Sequence, residues 1–271
     1  MKGVHFVSSV TGRIAEIKQP RGGYLKPSQF TETVINDGKE LVEENVHASI
    51  IGMAVDYLTR FLMGTPIDEA FKIPKAGYVM RSMLLAKETK NDEKKKIDID
   101  SLLKSIHGLD DVSIVATCKA ATYDVWFRNP MSAIMARGAE ETNPDEGTIN
   151  NIRVMVERSI TFWEQYGPVT VDGFTFEPNG YTQIVDCGDG DFLTADTLWD
   201  FKVSKSKPTS KHTLQVLMYW IMGLHSGKPE YKTIKRLGIF NPRQNTIYLM
   251  ETKYISADTI RLVEKEVICY D

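Results

Sequence analysis

Apolar positions in the first part of the chain recur at helical spacing, and those in the last hundred residues recur at strand spacing. A helix is expected over residues 44–63, ending near Gly64 and Pro66. Asp110 and Asp111 can cap a second, which carries Ile114, Val115, Cys118, Ala121 and Val125 and stops at Asn129 and Pro130. A third, over 149–166, sets Ile152, Met155, Val156, Ile160 and Trp163 on one face. Residues 1–43 read as mixed and turn-rich, and Lys87 to Lys96 as an exposed loop, because that run has no apolar residue. From Val169 the pattern becomes VTVDGFTFE, YTQIVDC, DFLT and LWDFKV, separated by Gly, Pro, Asn and Asp turns. A helix over 209–223, strands over 236–240 and 246–252, and a helix over 257–268 follow. The expectation is a mixed α/β or α+β domain spanning 1–271, mainly helical over 1–168 and sheet-bearing over 169–271.

Composition narrows the class. The longest apolar stretch, Ile50 to Val55, is far too short to span a bilayer, and the start MKGVHFVSSVTGR has no sustained apolar signal region, so a cytoplasmic protein without membrane partners is expected. Cys118, Cys187 and Cys269 are widely spaced and form no CxxC pair, which argues against a disulfide framework or a thiolate-bound metal. No Gly-rich Lys-Ser/Thr phosphate loop is present, so no ATP use is expected. The net charge is only −3, yet residues 201–250 hold nine Lys or Arg against one acid, Glu230. That window is +8 and the remainder −11, so one region can face a polyanion while the rest cannot.

The chemistry concentrates around DGDFLTADTLWDFKV. Strand side chains alternate, so Asp200 and Lys202 share one face while Trp199, Phe201 and Val203 take the other. Ala195, Asp196 and Thr197 are short enough to form a hairpin that brings Asp191 near Asp200. Two carboxylates beside an ammonium suit Mg²⁺ or Mn²⁺ and a phosphate substrate. An acid two residues before a Lys occurs eight times in the chain, so the pair alone means little; its context sets it apart. Downstream, Thr209 or Ser210 can cap a helix on which Gln215 and Tyr219 share a face. Lys205, Lys207, Lys211 and His212 lie before it or in its first turn, placed to bind substrate. Asp186 and Asp189 compete with Asp191 for the first acid, and Glu157 is a further candidate that also fits a surface residue.

GDGDFL, LWDFKVSK and LQVLMYW, in that order and with short spacers, resemble the PD-(D/E)XK nuclease superfamily, specifically its RecB-like exonuclease branch; GIFNPRQNTIYL fits the strand that follows. The clear resemblance covers about 188–249. It implies a restriction-endonuclease-like core and metal-dependent hydrolysis of DNA, by exonuclease rather than endonuclease action. It further implies that Asp191, Asp200 and the Phe201 carbonyl bind Mg²⁺ or Mn²⁺, that Lys202 assists the attacking water, and that Gln215 and Tyr219 support the site. Relatives commonly carry a G-x-x-x-H helix whose His lies at the metal; here Gly52 is followed by Asp56, with His47 as a rival on the same helix. Asp56 is also the only formally charged residue between Glu44 and Arg60, where a carboxylate is costly unless hydrated, paired or metal-bound. Three scattered cysteines give no iron–sulfur cluster of the kind some relatives hold. The alternative is a protein of this fold that binds DNA or a partner without cutting.

Overall fold

The computed structural model describes residues 8–85 and 97–270; the expected loop Lys87 to Lys96 lies outside them. In chain order the elements begin with β1 (Ser8–Ser9), α1 (Val10–Glu16), β2 (Thr31–Val34), α2 (Ala48–Leu62), α3 (Ile67–Ala70), α4 (Lys72–Leu85), α5 (Ile99–Lys104), α6 (Asp111–Ala121), α7 (Asp124–Arg128), α8 (Pro130–Ala133) and α9 (Glu146–Tyr166). They continue with β3 (Val171–Asp172), β4 (Val185–Cys187), β5 (Phe192–Leu193), β6 (Thr197–Phe201), α10 (Ser210–Ser226), α11 (Pro229–Lys232), β7 (Arg236–Asn241), β8 (Thr246–Glu251) and α12 (Ala257–Leu262). A π-helical turn over Val263–Ile268 extends α12.

The chain divides into two compact units: the stretch up to Ile35 together with Phe162 onward, and Asn36–Thr161. The sequence pattern changes at 168/169, but the contacts change at Ile35 and inside α9. The reason is that the N-terminal stretch contributes to the sheet-bearing unit. β2 pairs antiparallel with β8, and α1 packs on α10.

The sheet-bearing unit is mixed α+β. Its main sheet has the order β2-β8-β7-β6-β5-β3, antiparallel except for the β6–β7 pair, whose parallel register is made possible by the crossover through α10 and α11. Alternation along β6 sends Trp199 and Phe201 to one face and Leu198 and Asp200 to the other. On the first face Trp199, Phe192 and Phe240 pack against Phe162 and Trp163 from the end of α9. Phe162 stacks on Phe240 at 4.1 Å between centroids and meets Trp199 edge-on at 4.8 Å. Aromatic pairs in such geometries are each worth about 0.5–1.5 kcal/mol beyond the area they bury. On the second face Leu198, Leu237, Ile239, Tyr248 and Met250 pack beneath α10.

α10 is apolar nearly all round because it is covered on both sides. The sheet lies under it, and Val10, Ile14, Leu25 and Phe30 lie over it, with the Thr213 hydroxyl donating to the Leu25 carbonyl at 2.5 Å. The helix starts at Thr209 and stops at Gly227, whose left-handed conformation ends it.

Two expected strands are much shorter than their apolar alternation suggests. After Asp172 the chain leaves the ladder, and Phe174 and Phe176 turn into the core against Tyr219 and Tyr231. Alternation there records burial, with no continuous pairing. YTQIVDC yields only β4, which pairs with β1 in a separate two-stranded parallel sheet.

The Asn36–Thr161 unit is helical within its described residues, with α2 packed on α6 and α4 on α7. The helix expected from Asp111 to Asn129 is broken at Thr122 and Tyr123 into α6 and α7. Among the described residues no helix is long and apolar enough to cross a membrane.

Candidate active site

The site forms where β5, β6 and α10 meet. Phe192 pairs with Trp199 and Leu193 with Leu198, across a tight turn closed by the Thr194 N–H to the Thr197 carbonyl at 3.0 Å. Asp191 and Asp200 are the next residues on the two strands, one step past the last paired positions. Because the ladder ends at Phe192, the Phe201 N–H has no strand partner there, and the Asp191 Oδ2 accepts from it at 2.7 Å. That bond fixes the Asp191 carboxylate beside the strand that carries Asp200 and Lys202. The preceding Gly190 is required by space: a Cβ there would lie 1.9 Å from the Phe174 ring. Asp186 sits on the separate β1–β4 sheet and Asp189 is exposed, so the pairing favours Asp191 as the first acid.

Asp200 is 1 % exposed. Its Oδ1 accepts from the Lys202 Nζ at 2.9 Å, while its Oδ2 is buried with no partner. Burial disfavours the charged form and raises the Asp200 pKa to about 7, with Lys202 opposing the shift and the Asp191 carboxylate adding to it. The Lys202 side chain is 24 % exposed, so it joins the buried carboxylate to the surface. Burial works against its charge, but Asp200 and Asp191 outweigh it and hold the ammonium above its ordinary range.

On α10 the Gln215 Nε2 donates to the Tyr219 hydroxyl at 2.7 Å, and both residues are buried. The phenol thereby accepts one bond and keeps its own hydrogen. Burial first, then the negative charge of Asp200, hold it well above the usual tyrosine range. The expected companions Gln215 and Tyr219 therefore share the carboxylates' surroundings.

The expected substrate-binding residues divide into two kinds. Lys205, Lys207 and Lys211 are exposed; Lys207 also pairs with Glu32 at 2.7 Å, a surface contact of small energetic weight. His212 is half-buried, and its Nδ1 accepts from the Thr209 N–H at 3.1 Å, which caps the helix. Burial and then the Lys202 charge lower its pKa.

Other candidates have local structural roles. The Asp56 carboxylate takes the Arg60 Nε at 3.0 and 3.2 Å, so the pairing one turn along α2 answers the cost of its burial. His47 is the N-cap of α2, accepting from the Ser49 N–H at 3.3 Å, and it borders a cleft of about 730 Å³ within the helical unit. Glu157 pairs on the surface with Lys39 at 2.6 Å.

One contributor was not singled out in the sequence. Asn241, 1 % exposed at the end of β7, donates to the Ser204 carbonyl at 2.8 Å and accepts from the Arg243 N–H at 3.1 Å. Gln244 donates to the Lys205 carbonyl at 2.9 Å. Together they clamp the basic loop after Lys202 to the β7–β8 turn. The signal was present in NPRQN: an Asn at a strand end followed by Pro is a turn residue whose side chain bonds local backbone.

Among the described residues no group of three or more His, Cys, Asp or Glu side chains is placed to hold a metal. Asp191 and Asp200 are thus a two-carboxylate set, which suits a hard cation that keeps several waters. The buried, unpartnered Oδ2 of Asp200 is the atom such a cation would satisfy. Compared with known proteins, the chain matches no family model, no curated protein and no solved structure.

Proposed function

We propose that the chain is a metal-dependent nuclease of the PD-(D/E)XK type and RecB-like branch, with a restriction-endonuclease-like core, that hydrolyses DNA phosphodiesters. The observation that carries this reading is the meeting of Asp191 and Asp200 just past the last β5–β6 pair, where the Asp191 carboxylate accepts from the Phe201 N–H, with one Asp200 oxygen buried and unpartnered and Lys202 bonded to the other. A buried carboxylate left half satisfied is costly, so it is better understood as a ligand than as a packing residue.

Asp191 and Asp200 would hold Mg²⁺ or Mn²⁺, with the Phe201 carbonyl as a third donor. The bound ion would polarise the phosphate and make a water nucleophilic near neutral pH. Lys202, charged in the metal-free chain, holds a positive charge where negative charge builds on the phosphate. Gln215 fixes the Tyr219 hydroxyl, which keeps a hydrogen to donate near the carboxylates. Lys205, Lys207 and Lys211 supply exposed positive charge for the DNA backbone. Exonuclease action is the favoured mode.

Incubation of linear and closed circular DNA with the purified chain tests both activity and end dependence. Linear DNA is expected to disappear with Mg²⁺ or Mn²⁺, to survive in EDTA, and to survive with Asp200→Asn or Lys202→Ala. The circular form is expected to persist. Intact linear DNA under every divalent ion, with a salt-sensitive mobility shift, would instead support a binding protein of this fold.

A further inference from the structure

His212, Gln215 and Tyr219 recur at i, i+3 and i+7 and therefore lie along one stripe of α10. Gln215 and Tyr219 are bonded to each other on that stripe, and His212 lies one turn nearer the start of the helix. The Thr209 N–H donates to the His212 Nδ1 at 3.1 Å. A ring nitrogen that accepts carries no hydrogen, so the neutral imidazole bears its hydrogen on Nε2. Among the described residues that Nε2 has no hydrogen-bond partner, although the side chain is half-buried while its neighbour Lys211 is exposed. Burial and the Lys202 charge both favour the neutral ring.

We infer that His212 is a phosphate-contacting residue, which presents Nε2–H as an oriented, uncharged donor to a non-bridging oxygen of a phosphodiester held at Asp191, Asp200 and Lys202. This rests on the nuclease reading and deepens it. His212 then differs in kind from Lys205, Lys207 and Lys211, which are exposed positive charges. A cation that neutralises a phosphate releases counterions and steepens the salt dependence of binding by about 0.9 per contact, whereas a neutral donor adds affinity without changing the slope.

Three measurements test this. In metal-free protein at pH 7, ¹⁵N spectra are expected to show a pyridine-like Nδ1 and a pyrrole-like Nε2 for His212. The dinucleotide thymidylyl-thymidine, added with Ca²⁺, is expected to shift that Nε2–H resonance. Among variants, His212→Gln and His212→Glu both keep an acceptor at the third helical position, where Gln and Glu are native capping residues, but only Gln retains a hydrogen to donate. His212→Gln is expected to cut DNA within about threefold of wild type. His212→Glu and His212→Ala are expected to lose about tenfold or more in kcat/KM, the size of one lost hydrogen bond. The salt slope of binding for His212→Ala is expected to equal that of wild type. A protonated imidazole, the opposite tautomer, an unshifted Nε2–H at saturating dinucleotide, or unimpaired cleavage by His212→Ala would each overturn the inference. Wild-type protein that neither binds Mn²⁺ nor cuts DNA would overturn the nuclease reading and this one together. Wild type that cuts DNA while His212→Ala cuts equally well would overturn this one alone.

Discussion

Asp200 combines near-total burial, one ion-pair partner and one unanswered oxygen, and these have opposite effects on its proton. Burial wins, so the folded chain keeps the Asp200 proton up to about pH 7, whereas the ordinary carboxylate value is 3.8. Between those values the folded state binds more protons than the unfolded one, so the stability contributed by this group falls as pH rises from about 4 to 7. Urea titrations of metal-free protein are expected to show this decline in wild type and a flatter profile in Asp200→Asn. Adding Mn²⁺ should remove the decline, because a cation favours the ionised carboxylate. A wild-type profile parallel to that of Asp200→Asn would show that Asp200 titrates as an ordinary surface acid. The acid two residues before Lys was legible in the sequence, but its burial was not. Eight such pairs occur, and only tertiary packing distinguishes Asp200 from Glu251, which forms an exposed pair with Lys253.

Among the elements, those with a long uniform pattern were legible: α2, α9, α10, β6, β7 and β8 lie close to their expected spans. What failed has identifiable causes. α4 was missed because Pro74 and Gly77 look like breakers. Pro74 is the third residue of the helix, where its missing N–H costs little. Gly77 lets α4 approach α7 so closely that a Cβ would meet the Tyr123 carbonyl oxygen at 1.9 Å. α1, at seven residues, offers too few turns for its spacing to stand out. The hairpin that carries the first acid was legible, but the reason for its placement, Gly190 packed against the Phe174 ring, is a tertiary contact that no local sequence pattern announces. Gly190→Ala is expected to destabilise the chain by about 1–3 kcal/mol through overpacking, measured as a lower urea midpoint. It should also reduce metal-dependent cleavage in the remaining folded protein, since Asp191 is the next residue. An unchanged midpoint would mean that Phe174 can move aside freely.

Across the whole molecule the charge asymmetry gains a location. The +8 window of 201–250 contains β7, β8 up to Met250, α10, and the clamped loop with Lys205 and Lys207 that follows Lys202. If this loop holds the DNA backbone, binding in Ca²⁺ is expected to weaken steeply with salt. Changing Lys205 and Lys211 together to Ala should then reduce the slope of log K against log salt by about 2, given about 0.9 per neutralised phosphate on duplex DNA. An unchanged slope would assign binding to another surface. The two-unit organisation was less legible than the fold class, because β2 and α1 join the sheet-bearing unit through pairing and packing across more than two hundred residues of chain.

The claim beneath all of this is that Asp191 and Asp200 jointly hold a divalent ion. Anomalous diffraction from crystals soaked in Mn²⁺ tests it most directly. The account predicts a peak within about 2.0–2.3 Å of oxygens from both carboxylates, at ordinary hard-cation ligand distances, and its loss in Asp200→Asn. No peak there, or a peak only at Asp56 or at His47, would contradict it.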